Sequence, residues 1–184
     1  MLDRSIARLW QILDRPLSSL AEASLLAVNV GRLSVAEFVA ELQTAAEPIA
    51  ALKNCTFTVS AVVPDLAIEV NKEQLLAAIG TLLQNAFKFT DPGSEVTLDA
   101  YALGDHVLID VKDHCGGLPP GSVETMFLPM RQSAGHASGH VARLSNARRS
   151  VVASGGVLKV RDMPGEGCVF TVALPRHLMP QDLV

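Results

Sequence analysis

The chain has 184 residues, 49% of them apolar and 18% charged, with a net charge of −4. That length suits one ordinary domain, or one domain with an extra helical piece, and the apolar share supports a sizeable core. Without a basic excess to neutralise phosphates a general nucleic-acid binder is excluded; no apolar run is long enough to span a bilayer, and Met1-Leu2-Asp3-Arg4 does not open a signal peptide.

Leu2, Ile6, Leu9, Leu13 and Leu20 follow the alternating three/four spacing of a helix seam that packs against other helices. Pro16 interrupts the seam and Gly31 closes this helical arm, residues 1–33, which predicts a homodimer held by a helical bundle. Ser34-Val35-Ala36-Glu37 reads as a capping box opening a helix through Phe38, Leu42 and Ala46, past Pro48 towards Leu52. From Cys55 the period becomes two, with Phe57, Val59 and Ala61 alternating with Thr56, Thr58 and Ser60, a half-buried strand. After a turn at Pro64-Asp65 comes a short strand, Ala67–Val70, and then a helix over 72–89 whose stripe is Leu75, Ile79, Leu82 and Ala86, widened by Leu76 and Leu83. Asn85 and Lys88 stand three apart, which places both on the helix face turned away from that stripe. Thr90-Asp91-Pro92-Gly93 stops the helix.

Val96–Tyr101 and His106–Lys112, joined at Gly104-Asp105, form a hairpin. Residues 114–142 carry little periodicity, as a functional loop or lid would. A helix resumes near Arg143 with Leu144, Ala147, Val151 and Val152 on one side and Gly155-Gly156 as its cap. Two last strands, Val157–Val160 and Cys168–Val172, flank the turn Pro164-Gly165-Glu166-Gly167, and the tail from Pro175 reads as frayed. The sum is an α+β fold, a two-layer α/β sandwich with a mixed, mainly antiparallel sheet and its helices on one face. Cys55, Cys115 and Cys168 are odd in number and widely spaced, with no metal-ligand pairing, so a reducing cytoplasm is the simplest setting.

Taken alone, Asn85 and Lys88 describe the wet side of an amphipathic helix, although a carboxamide oxygen suits Mg²⁺ and an ammonium suits phosphate. Four segments in order change the weight of that reading. Leu83-Gln84-Asn85-Ala86-Phe87-Lys88-Phe89-Thr90 resembles the N box of sensor histidine kinases, within the ATPase superfamily that includes DNA gyrase B and MutL. Asp113-His114-Cys115-Gly116-Gly117-Leu118 resembles its first glycine box, Phe127-Leu128-Pro129-Met130 its F box, and Gly165-Glu166-Gly167-Cys168-Val169-Phe170 its last box. The resemblance covers about residues 55–175. It implies an ATP-binding domain over residues 34–176, followed by a tail over 177–184, in a two-component signalling protein.

The resemblance also implies roles. Asp113 would accept the adenine amino group, Gly116 and Gly117 would let the backbone approach the base, Asn85 would ligate Mg²⁺, and Lys88 would sit near the phosphates of ATP or ADP. Phe127 and Met130 would pack the base of a lid, and His114 is a loop residue rather than a base. The second glycine box departs from the family's three glycines, reading Gly139-His140-Val141-Ala142-Arg143-Leu144, with the helix after the lid expected to start near Arg148-Arg149. Val141 resists the positive φ that glycine adopts, and Arg143 offers charge where the family uses amide donors. Thr81 stands where the family has a first Asn, and Cys115 where it has a glycine.

At Leu2-Asp3-Arg4-Ser5 the arm resembles the second helix of the family's dimerisation hairpin; the phosphoacceptor histidine belongs to the first helix, and with no histidine before His106 neither is expected in this chain. The expectation is a fragment or variant of a larger kinase, or a domain acting on a histidine carried by a partner dimerisation domain. No single residue stands out as the certain centre of catalysis. The leading reading is therefore a kinase domain moving phosphate from ATP to protein histidine, with an impaired lid. A non-catalytic pseudokinase or docking module for a kinase or response regulator is the alternative, and an unrelated structural domain comes third.

Overall fold

The computed structural model describes residues 29–119, 121–127 and 138–178. The apolar seam from Leu2 to Leu20, and with it the expected dimer contact, lies outside those residues, as do Pro129 and Met130. The elements are β1 (Val30–Ser34), α1 (Val35–Leu52), β2 (Thr56–Val59), β3 (Leu66–Asn71), α2 (Lys72–Phe89), β4 (Glu95–Leu103), β5 (His106–Lys112), α3 (Ser122–Thr125), α4 (Ser138–Ala153), β6 (Val157–Met163), β7 (Gly167–Pro175) and β8 (His177–Leu178).

The larger sheet has the order β2-β4-β5-β7-β6. Only the β2–β4 pair in it is parallel. Its core face is written in period two: Val96, Leu98 and Ala100 on β4, Val107, Ile109 and Val111 on β5, and Phe170, Val172 and Leu174 on β7 are all buried. Against them pack Phe38 and Leu42 of α1 and Leu75, Ile79 and Leu82 of α2, each contributing about 1.5–3 kcal/mol by leaving water. The Phe57 and Phe87 rings meet edge to face at 5.3 Å, which ties the parallel edge strand to α2.

The helix starts follow the sequence. Ser34 Oγ accepts the Glu37 N–H at 3.4 Å, closing the side-chain half of the capping box. Asn71 Oδ1 accepts the Gln74 N–H at 3.0 Å and opens α2 at Lys72. Helix α1 carries Pro48 in its interior and runs on to Leu52. At the end of α4 the Gly156 N–H bonds the Val151 carbonyl at 3.0 Å, with Gly155 at φ +72°.

Four expectations change. The last residues of the supposed helical arm, Val30–Ser34, form a strand paired antiparallel with β3. The tail is not frayed at its start, because His177 and Leu178 add a further strand to β3. These pieces make a separate three-stranded sheet, β1-β3-β8, where a single sheet was expected. Finally, α4 begins at Ser138, so Gly139–Ala142 are helical rather than irregular, and Arg148-Arg149 lie late in the helix rather than at its start. With two of the three box glycines replaced, little in that stretch opposes helical φ and ψ.

Candidate nucleotide site

Asp113 follows the last residue of β5, beside the start of β7. Its N–H donates to the Cys168 carbonyl at 3.0 Å, and its Oδ1 accepts the N–H groups of Cys115 and Cys168, both at 3.2 Å. The residue is 3% exposed, so this is a carboxylate taken out of water and aimed by backbone amides. Gly116 and Gly117 follow with φ of +75° and +99°. The loop is stapled to the turn before β7: the Gly165 N–H donates to the Gly116 carbonyl at 3.0 Å, the Gly116 N–H to Glu166 at 3.3 Å, and the Leu118 N–H to Asp162 Oδ1 at 2.8 Å. The first and last glycine-bearing segments, about fifty residues apart in the chain, thus form one frame through β5–β7 pairing.

His114 belongs to that frame. Its N–H donates to Thr90 Oγ1 at 3.1 Å, its Nδ1–H to the Glu95 carbonyl at 2.6 Å, and its own carbonyl receives the Asp91 N–H at 3.0 Å. It fastens the loop to the end of α2.

Asn85 and Lys88 part company. Asn85 is 7% exposed, whereas the Lys88 ammonium reaches outward and lies 5.0 Å from the Phe89 ring centre. The expected open face is corrected: α2 packs on α1, the sheet and α4, so apolar residues surround most of its circumference and enclose Asn85 with them. Farther along, Leu144 is buried and Arg143 exposed, while Gly139 sits in the first turn of α4. Phe127 packs partly against the core with the Arg148 guanidinium 5.5 Å over its ring.

The sequence reading missed two features. Asp162 orients the glycine loop, and only the β6–β7 register reveals it. The cysteines, read as unpaired in sequence, are brought together: Cys115 and Cys168 Sγ lie 3.4 Å apart beside Asp113. Burial pushes the Cys168 thiol far above its ordinary range, helped by the Cys115 hydrogen bond and the Asp113 charge. The Cys115 thiol is raised too, by burial first and then by its hydrogen bond to Asp113.

Residues 70–178 match the family described as histidine kinase-, DNA gyrase B- and HSP90-like ATPases, and the chain belongs to it. Membership implies ATP binding, and the matched span is a histidine kinase-like ATPase domain. The alginate biosynthesis sensor protein KinB of Pseudomonas aeruginosa is 31% identical over 108 residues, which are 59% of this chain and 18% of KinB. The sensor protein KdpD of Escherichia coli (strain K12) is 31% identical over 102 residues, 54% of this chain and 11% of KdpD. The chain therefore spans a small part of the curated relatives it matches. Among solved structures, the catalytic domain of histidine kinase ThkA superposes with a TM-score of 0.70 at 19% identity, covering 80% of this chain and 96% of that one. Full-length ShkA in complex with AMPPNP superposes with a TM-score of 0.71 at 22% identity, covering 97% of this chain and 35% of ShkA. Among the described residues no helix is long and apolar enough to cross a membrane.

Proposed function

We propose that this chain is the nucleotide-binding part of a two-component kinase, taking ATP with Mg²⁺ for transfer to a histidine on a partner dimerisation helix. The observation that carries the reading is the buried Asp113 carboxylate, held by two backbone amides at the strand end. Its remaining lone pairs suit the adenine amino group, and Gly116 and Gly117 leave the loop free of side chains where a flat base would approach. Asn85 fits the Mg²⁺ role: it is a polar residue enclosed on an otherwise apolar stretch, and its oxygen is a hard donor for a cation that keeps waters and phosphate oxygens as its other ligands. Bound Mg²⁺ would neutralise charge on the phosphates. Lys88, exposed one turn on, brings a positive charge to the same end of α2.

The lid residues Gly139, Arg143 and Leu144 are the weak part of this reading. In a helix that starts at Ser138, the amides of Arg143 and Leu144 are committed to carbonyls one turn back, so they cannot curl around a phosphate. That favours ground-state binding with slow transfer, and it is the one observation that supports the second reading, a nucleotide-binding but non-catalytic partner of a kinase or response regulator.

Calorimetry with ADP and with ATP plus Mg²⁺ tests the proposal. Asp113→Asn should weaken ADP binding by about 1.5–3 kcal/mol, the worth of a hydrogen bond to a charged acceptor. No heat and no thermal shift at high nucleotide concentration would overturn it.

A further inference from the structure

Beside Asp113 three donor atoms of a softer character converge. Cys115 and Cys168 Sγ stand 3.4 Å apart, and with a carboxylate oxygen of Asp113 all three lie within 4.8 Å of one another. Cys168 is 1% exposed and Cys115 half-buried, so the cluster is enclosed on one side and open on the other. The backbones carrying the donors are fixed by the Asp113–Cys168 and Asp113–Cys115 hydrogen bonds. We propose that Asp113, Cys115 and Cys168 bind a thiophilic divalent cation of the zinc or cadmium kind, and that its occupation excludes adenine. The second clause rests on the nucleotide reading above, because both ligands claim the Asp113 carboxylate.

The geometry is close to what such an ion needs. Tetrahedral zinc with bonds of about 2.3 Å to sulfur separates two thiolates by about 3.8 Å, a few tenths more than the present spacing. Two thiolates and one carboxylate leave the fourth position to water. Thiolates do not serve a hard cation, so Mg²⁺ is not a competitor here. Binding breaks two S–H bonds, sends both protons to solvent and forms two metal–sulfur bonds, with no change of oxidation state. The two thiolates cancel the charge of the dication, and the carboxylate leaves the cluster at about −1, a modest charge for an enclosed site.

The test uses the full chain, reduced and stripped of metal, titrated with Cd²⁺ alone. A thiolate-to-cadmium ultraviolet band should rise and saturate at one equivalent, with release of two protons. Cys115→Ser and Cys168→Ser should abolish it and Cys55→Ser should leave it. Asp113→Asn keeps both sulfurs and should retain the band with affinity lowered at least about tenfold, since even residues that only support a ligand are worth that much. Adenosine, which lacks phosphates to sequester the ion, should weaken Cd²⁺ about elevenfold when present at ten times its own Kd. A missing band, a band that survives Cys115→Ser, or a mass two hydrogens lighter showing a disulfide overturns the site. Cation binding indifferent to saturating adenosine overturns the exclusion. A chain that gives the band but takes no adenosine or ADP leaves the cation site standing and sinks the nucleotide reading instead.

Discussion

Gly167→Ala places one methyl group where the end of β5 already lies. A Cβ at that position would stand 2.0 Å from the Asp113 carbonyl oxygen, 2.8 Å from its carbon and 2.9 Å from His114 Cα. These are backbone atoms, so no side chain can swing away, and the loop must part from β7 by about 1 Å or more to restore ordinary contact. That opening strains the Asp113 N–H to Cys168 carbonyl bond and the Cys168 N–H to Asp113 Oδ1 bond, now 3.0 and 3.2 Å. Overpacking of this kind costs about 1–3 kcal/mol, and the two hydrogen bonds add about 0.5–3 kcal/mol each, the upper end for the charged acceptor. The expected loss is thus about 2–9 kcal/mol, a large part of a typical domain's stability. Gly165→Ala is the matched control: nothing lies within 4 Å of its would-be Cβ, but its φ is +81°, so it should lose only the conformational cost of about 1–2 kcal/mol. Urea unfolding followed by circular dichroism, run on both variants, ranks them. A Gly167→Ala variant within 0.5 kcal/mol of the parent, or more stable than Gly165→Ala, would refute the close-approach argument.

Two further outcomes are expected. Tyr101 is the chain's single tyrosine, so an alkaline absorbance titration reports it alone; burial, then its 3.0 Å bond to Asp110 and the nearby negative charges, should put the midpoint above 10.0. Because the folded value is the raised one, any stability it supplies is present below the ordinary phenol range and lost as pH climbs through the folded midpoint; Asp110→Asn should bring that midpoint down, and one at or below 10.0 in the parent contradicts the contact. For the lid, Val141→Gly with Arg143→Gly should speed single-turnover phosphate transfer from ATP to a histidine-bearing hairpin while leaving ADP affinity nearly unchanged; brisk transfer by the parent chain would show that Arg143 or another donor already replaces the glycines.

Much of this was legible because local chemistry and fold agree. Helix α2 could be bounded at Lys72 and Phe89 since its apolar spacing and its stop turn point the same way. The hairpin of β4 and β5 was equally plain, and the family segments marked the Asp113 loop before any coordinate did. What escaped was long-range. Nothing in Val30–Ser34 or in His177 and Leu178 announces a strand, because each becomes one only by pairing with β3, far away in sequence. The burial of Asn85 was misjudged because a periodicity argument sees one covering layer, while α2 is covered on several sides. Cys115 and Cys168 looked solitary for the same reason: the β5–β7 register, not the spacing of the thiols, sets them side by side.

The staples between the glycine loop and the turn before β7 have one more consequence. The chain leaves the frame at Leu118, whose N–H is held by Asp162, and comes back through α4 to β6, the strand that carries Asp162. Departure and return are therefore one fastening; within the span α4 is also anchored in the core through Leu144, Ala147 and Val151, which leaves the stretch before it, about twenty residues, as the exchangeable part. Closing such a span depends only on the logarithm of its length, about 0.6 kcal/mol for each doubling. Its sequence can accordingly drift, shorten or be exchanged while the socket around Asp113 stays intact. A lineage can retune how this domain treats the far end of a bound molecule without renegotiating how it grips the near end.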